Sequence, residues 1–365
     1  MYPLIRPLLF KLDAEQAHHL SMRTAETVQA VSPHLVAPLF HYENDRLAQT
    51  VWGRRFANPV GLAAGFDKDA KLIPFWRALG FGFVEAGSVS ARPAPGNPRP
   101  RAFRLPLDRA LVNRMGLNNE GAAAVAARIH ALGLRRPLPL GLNLAKTHDP
   151  AILGEAAVAD FRESFRLLAP LADYVALNIS CPNTAEGKTF EAPDALEALL
   201  EAIFADRTAL GLTVPVLLKL SPPASQTVDP DALAPTIALA QTYGVHGFIA
   251  TNTASDRAGL HTDEAQLHAI GRGGLSGDPL AGRSTALIRH LYRATEGALP
   301  IIGVGGVASA AAAYAKIRAG ATLVQCYTGL VYEGPGLVKR IKRGLVERLD
   351  RDGLPTLRDA VGRGA

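Results

Sequence analysis

Cysteine is nearly absent from this chain: 365 residues hold two, Cys181 and Cys326. They stand far apart with no CxxC spacing, so neither a disulfide framework nor a cysteine-built zinc site is expected, and a reducing compartment fits. Membrane-length apolar helices are missing too. Residues 297–315 run nineteen positions without a charge. They open, however, as a strand-like Pro-Ile-Ile-Gly-Val and break at Gly305-Gly306, whereas a membrane span needs a continuous apolar helix of about 20 residues. Arg6 interrupts the short apolar run at residues 1–10, and no small-residue cleavage site follows, so a secretory signal is not expected. Neither sign of charge dominates. Lys and Arg total 39 against 33 Asp and Glu, a net charge of +6 that permits an anionic ligand or surface and selects none. The hydrophobic share of 48% and charged share of 20% are those of a soluble globular enzyme, long enough to bury a full core.

What the chain does have is a rhythm. Apolar strand-like runs occupy residues 59–64, 82–88, 138–144, 174–179, 215–220, 247–251, 300–304 and 322–327. Most are separated by Ala/Leu-rich stretches with helical periodicity, as at 119–132, 192–209 and 231–243. Alternating strand and helix implies parallel pairing through crossover helices, and eight such units predict an α/β fold of the (β/α)8 TIM barrel type rather than an open doubly wound sheet. The interval 89–118 is long and rich in Pro, Gly and Arg, as functional loops are. Residues 1–45 differ from the rest. Leu8, Leu9, Leu12, Ala17, Leu20, Met22, Val28 and Val31 form an apolar helical face among Lys11, His18, His19 and Arg23. This predicts a small N-terminal helical extension (1–45) before the barrel domain (46–365). It either caps the barrel or lies in a membrane interface.

Polar residues recur at the C-terminal ends of the strands, where barrel active sites are built. Lys68 follows the first strand, Ser88 ends the second and Asn143 the third. Asn178 and Cys181 close the fourth, Lys219 the fifth, and Thr251, Asn252 and Thr253 the sixth. Gly305-Gly306 follow the seventh, and Tyr327 and Thr328 the eighth. The stretch 171–184 shows the pattern best: a buried strand turns abruptly into Asn178, Ser180, Cys181, Asn183 and Thr184 around Pro182.

Each feature has a plain reading beside a chemical one. Gly-Gly-Leu-Ser-Gly (273–277) and Gly-Val-Gly-Gly-Val-Ala-Ser (303–309) place bare backbone N–H groups ahead of a helix, which with Thr328 suits a phosphate. The missing GxGxxG near the start argues against a Rossmann site. Lys219, inside Val-Leu-Leu-Lys-Leu, is a Schiff-base nucleophile, a cation for a reduced flavin, or a lysine snorkelling to solvent. Lys68 carries the same ambiguity, with Asp67 or Asp69 able to pair with it. Asn113, Asn118, Asn143, Asn178, Asn183 and Asn252 each offer a donor and an acceptor and together suit a flat ring of alternating N–H and C=O groups. Turn chemistry explains any one of them, and for Asn118 and Asn119 it is the expectation. Cys181 is either a base that ionises near positive charge or a small buried hydrophobe, and Cys326 suits the second description better.

Taken in order, several segments resemble the dihydroorotate dehydrogenase family. They are Ala-Ala-Gly-Phe-Asp-Lys (63–68), Gly-Asn-Pro-Arg-Pro-Arg-Ala-Phe-Arg-Leu (96–105), Asn-Arg-Met-Gly-Leu-Asn-Asn (113–119), Asn-Ile-Ser-Cys-Pro-Asn-Thr (178–184), Thr-Asn-Thr (251–253), Gly-Gly-Leu-Ser-Gly (273–277) and Gly-Val-Gly-Gly (303–306). Over nearly the whole chain the likeness is to the membrane-associated, quinone-dependent class 2. It implies oxidation of dihydroorotate to orotate in pyrimidine synthesis, with FMN as cofactor. Cys181 would remove the C5 proton as hydride leaves C6 for N5 of the flavin. Lys68, Asn113, Arg114, Met115, Gly116, Leu117, Asn178, Asn183, Asn252 and Thr253 would hold the substrate. Ala64, Gly65, Phe66, Asp67, Lys68, Ser88, Asn143, Asn178, Lys219, Thr251, Gly277, Gly306, Tyr327 and Thr328 would hold FMN. Residues 12–18 resemble that class's membrane-binding helices, with His18 and Arg104 approaching the head group of ubiquinone or menaquinone. A monomer bound peripherally to the cytoplasmic face of the cell membrane, without metal or nucleic acid, is the implied setting.

The resemblance departs in two places. Class 2 enzymes usually carry serine where this chain has Cys181, and residues 185–190 differ from the commoner Gly-Leu-Arg pattern. A class 1-like enzyme using fumarate or NAD is therefore the alternative acceptor reading. A flavin-dependent tRNA dihydrouridine synthase would also be a basic barrel with a catalytic cysteine, but the tail after Gly336 is short for the helical RNA-binding domain those enzymes normally carry.

Overall fold

The computed structural model describes residues 2–32, 36–133, 136–180 and 189–365. Eight parallel strands close into a barrel: β1 Val60–Leu62, β2 Phe83–Val89, β3 Leu140–Leu144, β4 Tyr174–Asn178, β5 Val216–Leu220, β6 Gly247–Ala250, β7 Ile301–Val304 and β8 Leu323–Cys326. Each pairs in parallel with its neighbour in the chain, and β8 closes on β1. Strands covered on both faces read as near-continuous apolar runs, which is why all eight are visible in the sequence. Helices such as Ala122–Ala131, Pro193–Ala209 and Pro230–Thr242 return the chain between strands. The last of these starts where Asp229 accepts a hydrogen bond from the Asp231 amide and Pro230 presets the first turn.

The barrel interior alternates large and small. A Cβ on Gly61 would sit 2.3 Å from the Phe83 ring, and one on Gly141 would sit 2.0 Å from Tyr174. The two rings fill the space these glycines leave. A hairpin of Gln49–Val51 and Arg54–Phe56, not foreseen from the sequence, closes the N-terminal mouth. Phe56 meets Phe83 edge to face at 5.4 Å, and the Trp52 indole donates to the His246 carbonyl at 2.8 Å.

Above the opposite mouth lies a three-stranded antiparallel sheet of Ala102–Leu105, Ala110–Asn113 and Gly274–Gly277. The long interval after β2 thus supplies two of the three strands of this sheet. Gly274–Gly277, from the glycine motif expected ahead of a helix, is itself a strand that leads into helix Ala281–Ala294 through the short turn Asp278–Leu280.

Before the barrel come α1 (Tyr2–Leu9) and α2 (Ala14–Val31). Asp13 caps α2 by accepting from the amides of Glu15 and Gln16. One face of α2 is pinned to the barrel. Buried Glu15 accepts from the Arg101 guanidinium at 2.7 Å, and Gln29 bonds the backbone at Lys71 and Phe75. Of the eleven large hydrophobic residues exposed among the described residues, seven (Leu4, Ile5, Leu8, Leu12, Leu20, Val31 and Leu39) belong to this extension. No helix of the described residues is long and apolar enough to cross a membrane.

Candidate active site

The strand ends and the overlying sheet border a cleft of about 150 Å³. From the residues singled out above it takes Ala64, Gly65, Lys68, Ser88, Asn113, Met115, Gly116, Leu117, Asn178, Lys219, Thr251, Asn252, Thr253, Gly277, Gly306, Tyr327 and Thr328. They come from widely separated parts of the chain, and the barrel register is what assembles them. Cys181 and Asn183 lie outside the described residues.

A connected set of polar groups forms one wall. Asn178 donates to Ser88 Oγ at 2.9 Å, and Ser88 donates to Asn143 Oδ1. Asn252 donates to Asn178 Oδ1 at 3.0 Å and to Ser180 Oγ at 3.1 Å, while Ser180 donates to the Lys219 carbonyl at 2.7 Å. The residue just before Cys181 is therefore tied to the ends of both β5 and β6. Across the cleft Lys68 donates to Asn118 Oδ1, and Asn113 donates to the Gly274 carbonyl at 3.3 Å.

Beneath this wall the barrel holds a buried charge cluster. Glu85 of β2 is fully buried and accepts from Gln325 at 2.7 Å, Asn143 at 2.9 Å, Tyr174 at 3.1 Å and Lys219 at 3.3 Å. Lys219 therefore neither snorkels to solvent nor stands alone. It reaches the cleft with an anion behind it. Burial, with the carboxylate alongside, pushes the Tyr174 hydroxyl well above its ordinary range and keeps it a donor.

At the other end, Gly277 and Gly306 have φ of +109° and +69°, and a Cβ on Gly306 would lie 2.5 Å from Ala281 Cβ. Only bare backbone fits there. Ser276 and Thr328 hydroxyls meet at 2.8 Å beside them, and Ser309 caps the following helix Ala310–Arg318.

Four expected contacts fall elsewhere. Arg114 does not line the cleft. Its guanidinium donates to the carbonyls of Ile270 and Pro100 and lies 4.8 Å over the Phe103 ring, bracing the upper sheet. Asp67 is buried and accepts from the amides of Lys71 and Leu72 and the Trp76 indole, so it shapes the loop that presents Lys68. The Phe66 side chain packs among His18, Trp76 and Tyr327. Asn143 sits fully buried one layer below the cleft.

His18 meets Phe66 edge to face at 5.0 Å, and Phe66 meets Tyr327 at 5.1 Å, so an aromatic path joins α2 to the cleft wall. Burial, with Lys68 nearby, lowers the His18 imidazole to about 4. Arg104 donates to the carbonyls of Leu9, Phe10 and Leu12 at the α1–α2 joint and lies 4.7 Å over the Phe10 ring. Cys326 is buried, its thiol pushed up to about 12 by desolvation, as suits an inert core residue.

Three cleft or sub-cleft residues were not anticipated. Glu85 was signalled by a lone carboxylate inside an apolar strand, the same signal that marks Lys219. Asn118, expected as turn chemistry, instead accepts from Lys68 and lines the cleft, whereas Asn119 does serve the turn by accepting from the Ser90 and Gly121 amides. Gln325 lines the cleft from β8, and its buried Oε1 has no partner among the described residues.

The chain resembles known proteins along its full length. The family model described as dihydroorotate dehydrogenase matches residues 46–349. A protein named Dihydroorotate dehydrogenase (quinone) from Deinococcus deserti is 46% identical over 99% of both chains. One of the same name from a Roseiflexus species is 47% identical over 99% of this chain and 98% of its own. Among solved structures, DHODH from Eimeria tenella in complex with ferulenol superposes with a TM-score of 0.84 at 31% identity, covering 96% of this chain and 95% of its own. Barrel, cleft and full-length similarity agree: the chain belongs to the dihydroorotate dehydrogenase family.

Proposed function

We infer that this protein oxidises dihydroorotate to orotate in pyrimidine nucleotide synthesis and passes the electrons to a quinone. The observation that carries the reading is the amide lining. Asn113, Asn118, Asn178 and Asn252 surround one cleft together with Lys68 and Lys219. A dihydropyrimidine presents alternating N–H and C=O groups and a carboxylate, which amides and an ammonium group complement. The full-length similarity to proteins named as quinone enzymes extends through the N-terminal extension.

The residues at the cleft fit FMN. Gly277, Gly306 and Thr328 offer a phosphate bare backbone groups and a hydroxyl, and Lys219 suits the electron-rich edge of a reduced ring. Bound there, FMN would supply a two-electron acceptor for hydride and a relay for the electrons. Lys68 and the asparagines orient the substrate. Cys181 removes the C5 proton as a thiolate, a role supported by its sequence neighbour Ser180 on the wall and by Lys68 and Lys219, whose side chains line the cleft. We assign residues 1–45 to membrane association and quinone access and residues 46–365 to catalysis. The exposed apolar face of α1 and α2 enters the headgroup region of the cytoplasmic leaflet as a peripheral contact of a monomer. His18 and the Phe66–Tyr327 path favour α2 as the side from which ubiquinone or menaquinone approaches.

Purified protein assayed with dihydroorotate against a ubiquinone analogue, a menaquinone analogue, fumarate and NAD tests the reading. Turnover with either quinone is expected. Turnover only with fumarate or NAD overturns the acceptor, and an oxidised flavin that dihydroorotate leaves unreduced overturns the reaction.

A further inference from the structure

Glu85 is the least ordinary group in the barrel. A carboxylate with no solvent exposure stands in the middle of an apolar strand, and burying such a charge is costly unless every oxygen finds a donor. Here four do: Gln325 and Tyr174 on Oε2, Asn143 and Lys219 on Oε1. The partners come from β3, β4, β5 and β8, so with its own β2 the carboxylate ties together five of the eight strands of the barrel. Three of them matter to the cleft, Gln325 lining it from β8. Lys219 lines it, and Asn143 accepts from Ser88, which lines it.

We propose that Glu85 is a positioning residue that holds the Lys219 ammonium group at the cleft and, by offsetting its charge, sets the reduction potential of the bound flavin. The proposal rests on the flavin reading above. A lone cation beside the ring stabilises the anionic reduced form and raises the potential, and a buried anion behind that cation partly cancels the effect. The Glu85–Lys219 pair thus keeps the flavin oxidising enough to take hydride yet reducing enough to pass electrons on.

The test is a redox titration of bound flavin with reference dyes in wild type, Glu85→Gln, Glu85→Asp and Tyr174→Phe, with flavin content read from the spectrum as purified. Glu85→Gln keeps the shape and removes the charge. It should favour the reduced flavin about tenfold, a rise of about 30 mV for a two-electron couple. Glu85→Asp retains the charge and should stay within about threefold of wild type. Tyr174→Phe removes one donor from the carboxylate, leaves the site more negative, and should move the equilibrium two- to threefold the other way. Glu85→Gln that binds flavin at an unchanged potential overturns the proposal. Should that variant not fold, an unmoved potential in Tyr174→Phe does so instead. Wild-type protein purified without flavin and unable to bind added FMN sinks the flavin reading and this inference with it.

Discussion

A thiol takes a proton only as its thiolate, so Cys181→Ala should keep bound FMN while flavin reduction by dihydroorotate slows by roughly a hundredfold or more. Stopped-flow absorbance of the flavin reads this directly, and reduction at the wild-type rate removes the proposed base. A second single residue tests the energetics of burial. Lys316 has no solvent exposure and donates to the Ala281 carbonyl at 3.2 Å and to Ser284 and Thr285 hydroxyls at 2.9 and 3.2 Å. Desolvation lowers it from 10.5 to about 7. The fold therefore resists protonating it, and its contribution, complete above 10.5, is lost as pH falls through 7. Lys316→Met should raise stability at pH 7 by on the order of 2 kcal/mol, with the gain fading toward pH 10.5. Melting temperature against pH measures it, and no gain at pH 7 would refute the burial account. Single residues were unevenly legible. Lys219 announced itself as a charge in an apolar run, whereas Glu85, placed alike in β2, was passed over. Asn118 did not, because its turn-like neighbours mask a partner, Lys68, that lies 50 positions away.

At the scale of an element, α2 is held by a charged pair and an aromatic contact, Glu15 and His18 standing three residues apart on one face. Arg101 and Arg99 offset the desolvation of Glu15 and hold it down to about 2, while burial keeps His18 at about 4. Both groups have folded values below their unfolded ones. The His18 contribution is complete above 6.5 and lost as pH falls toward 4, and the Glu15 contribution is complete above 4.5 and lost toward 2. Acid should therefore release α2 in two steps. Glu15→Gln should release it at neutral pH by leaving Arg101 buried without its anion, at a cost of about 3 kcal/mol. Limited proteolysis or amide exchange of residues 14–31 reports the release, and equal protection in Glu15→Gln would refute the anchor. The helical periodicity of this segment was visible in the sequence, but its anchors were not. They pair α2 with arginines more than 80 positions away.

For the whole molecule, removing residues 1–40 should spare flavin reduction but weaken quinone turnover and binding to anionic vesicles, because the exposed apolar side chains concentrate there. Vesicle co-sedimentation and quinone kinetics test this, and unchanged values for both would refute the role of the extension. Eight apolar runs at helical intervals were enough to specify a parallel barrel, since strands covered on both faces must be apolar throughout and parallel strands need crossovers. The same reasoning placed Lys68, Asn178, Lys219, Asn252 and Thr328 at strand ends, because chain position along a strand is local. The hairpin that closes the barrel floor, the three-stranded roof and the Glu85 cluster came only with the tertiary structure. Short strands and four-partner networks are stabilised by contacts between distant segments, and local sequence carries no record of which segments meet. Local sequence thus set the strands, their order and the end of the barrel where chemistry gathers. The closed fold decided which of those polar groups face the cleft and which, like Arg114 and Asp67, support it from behind.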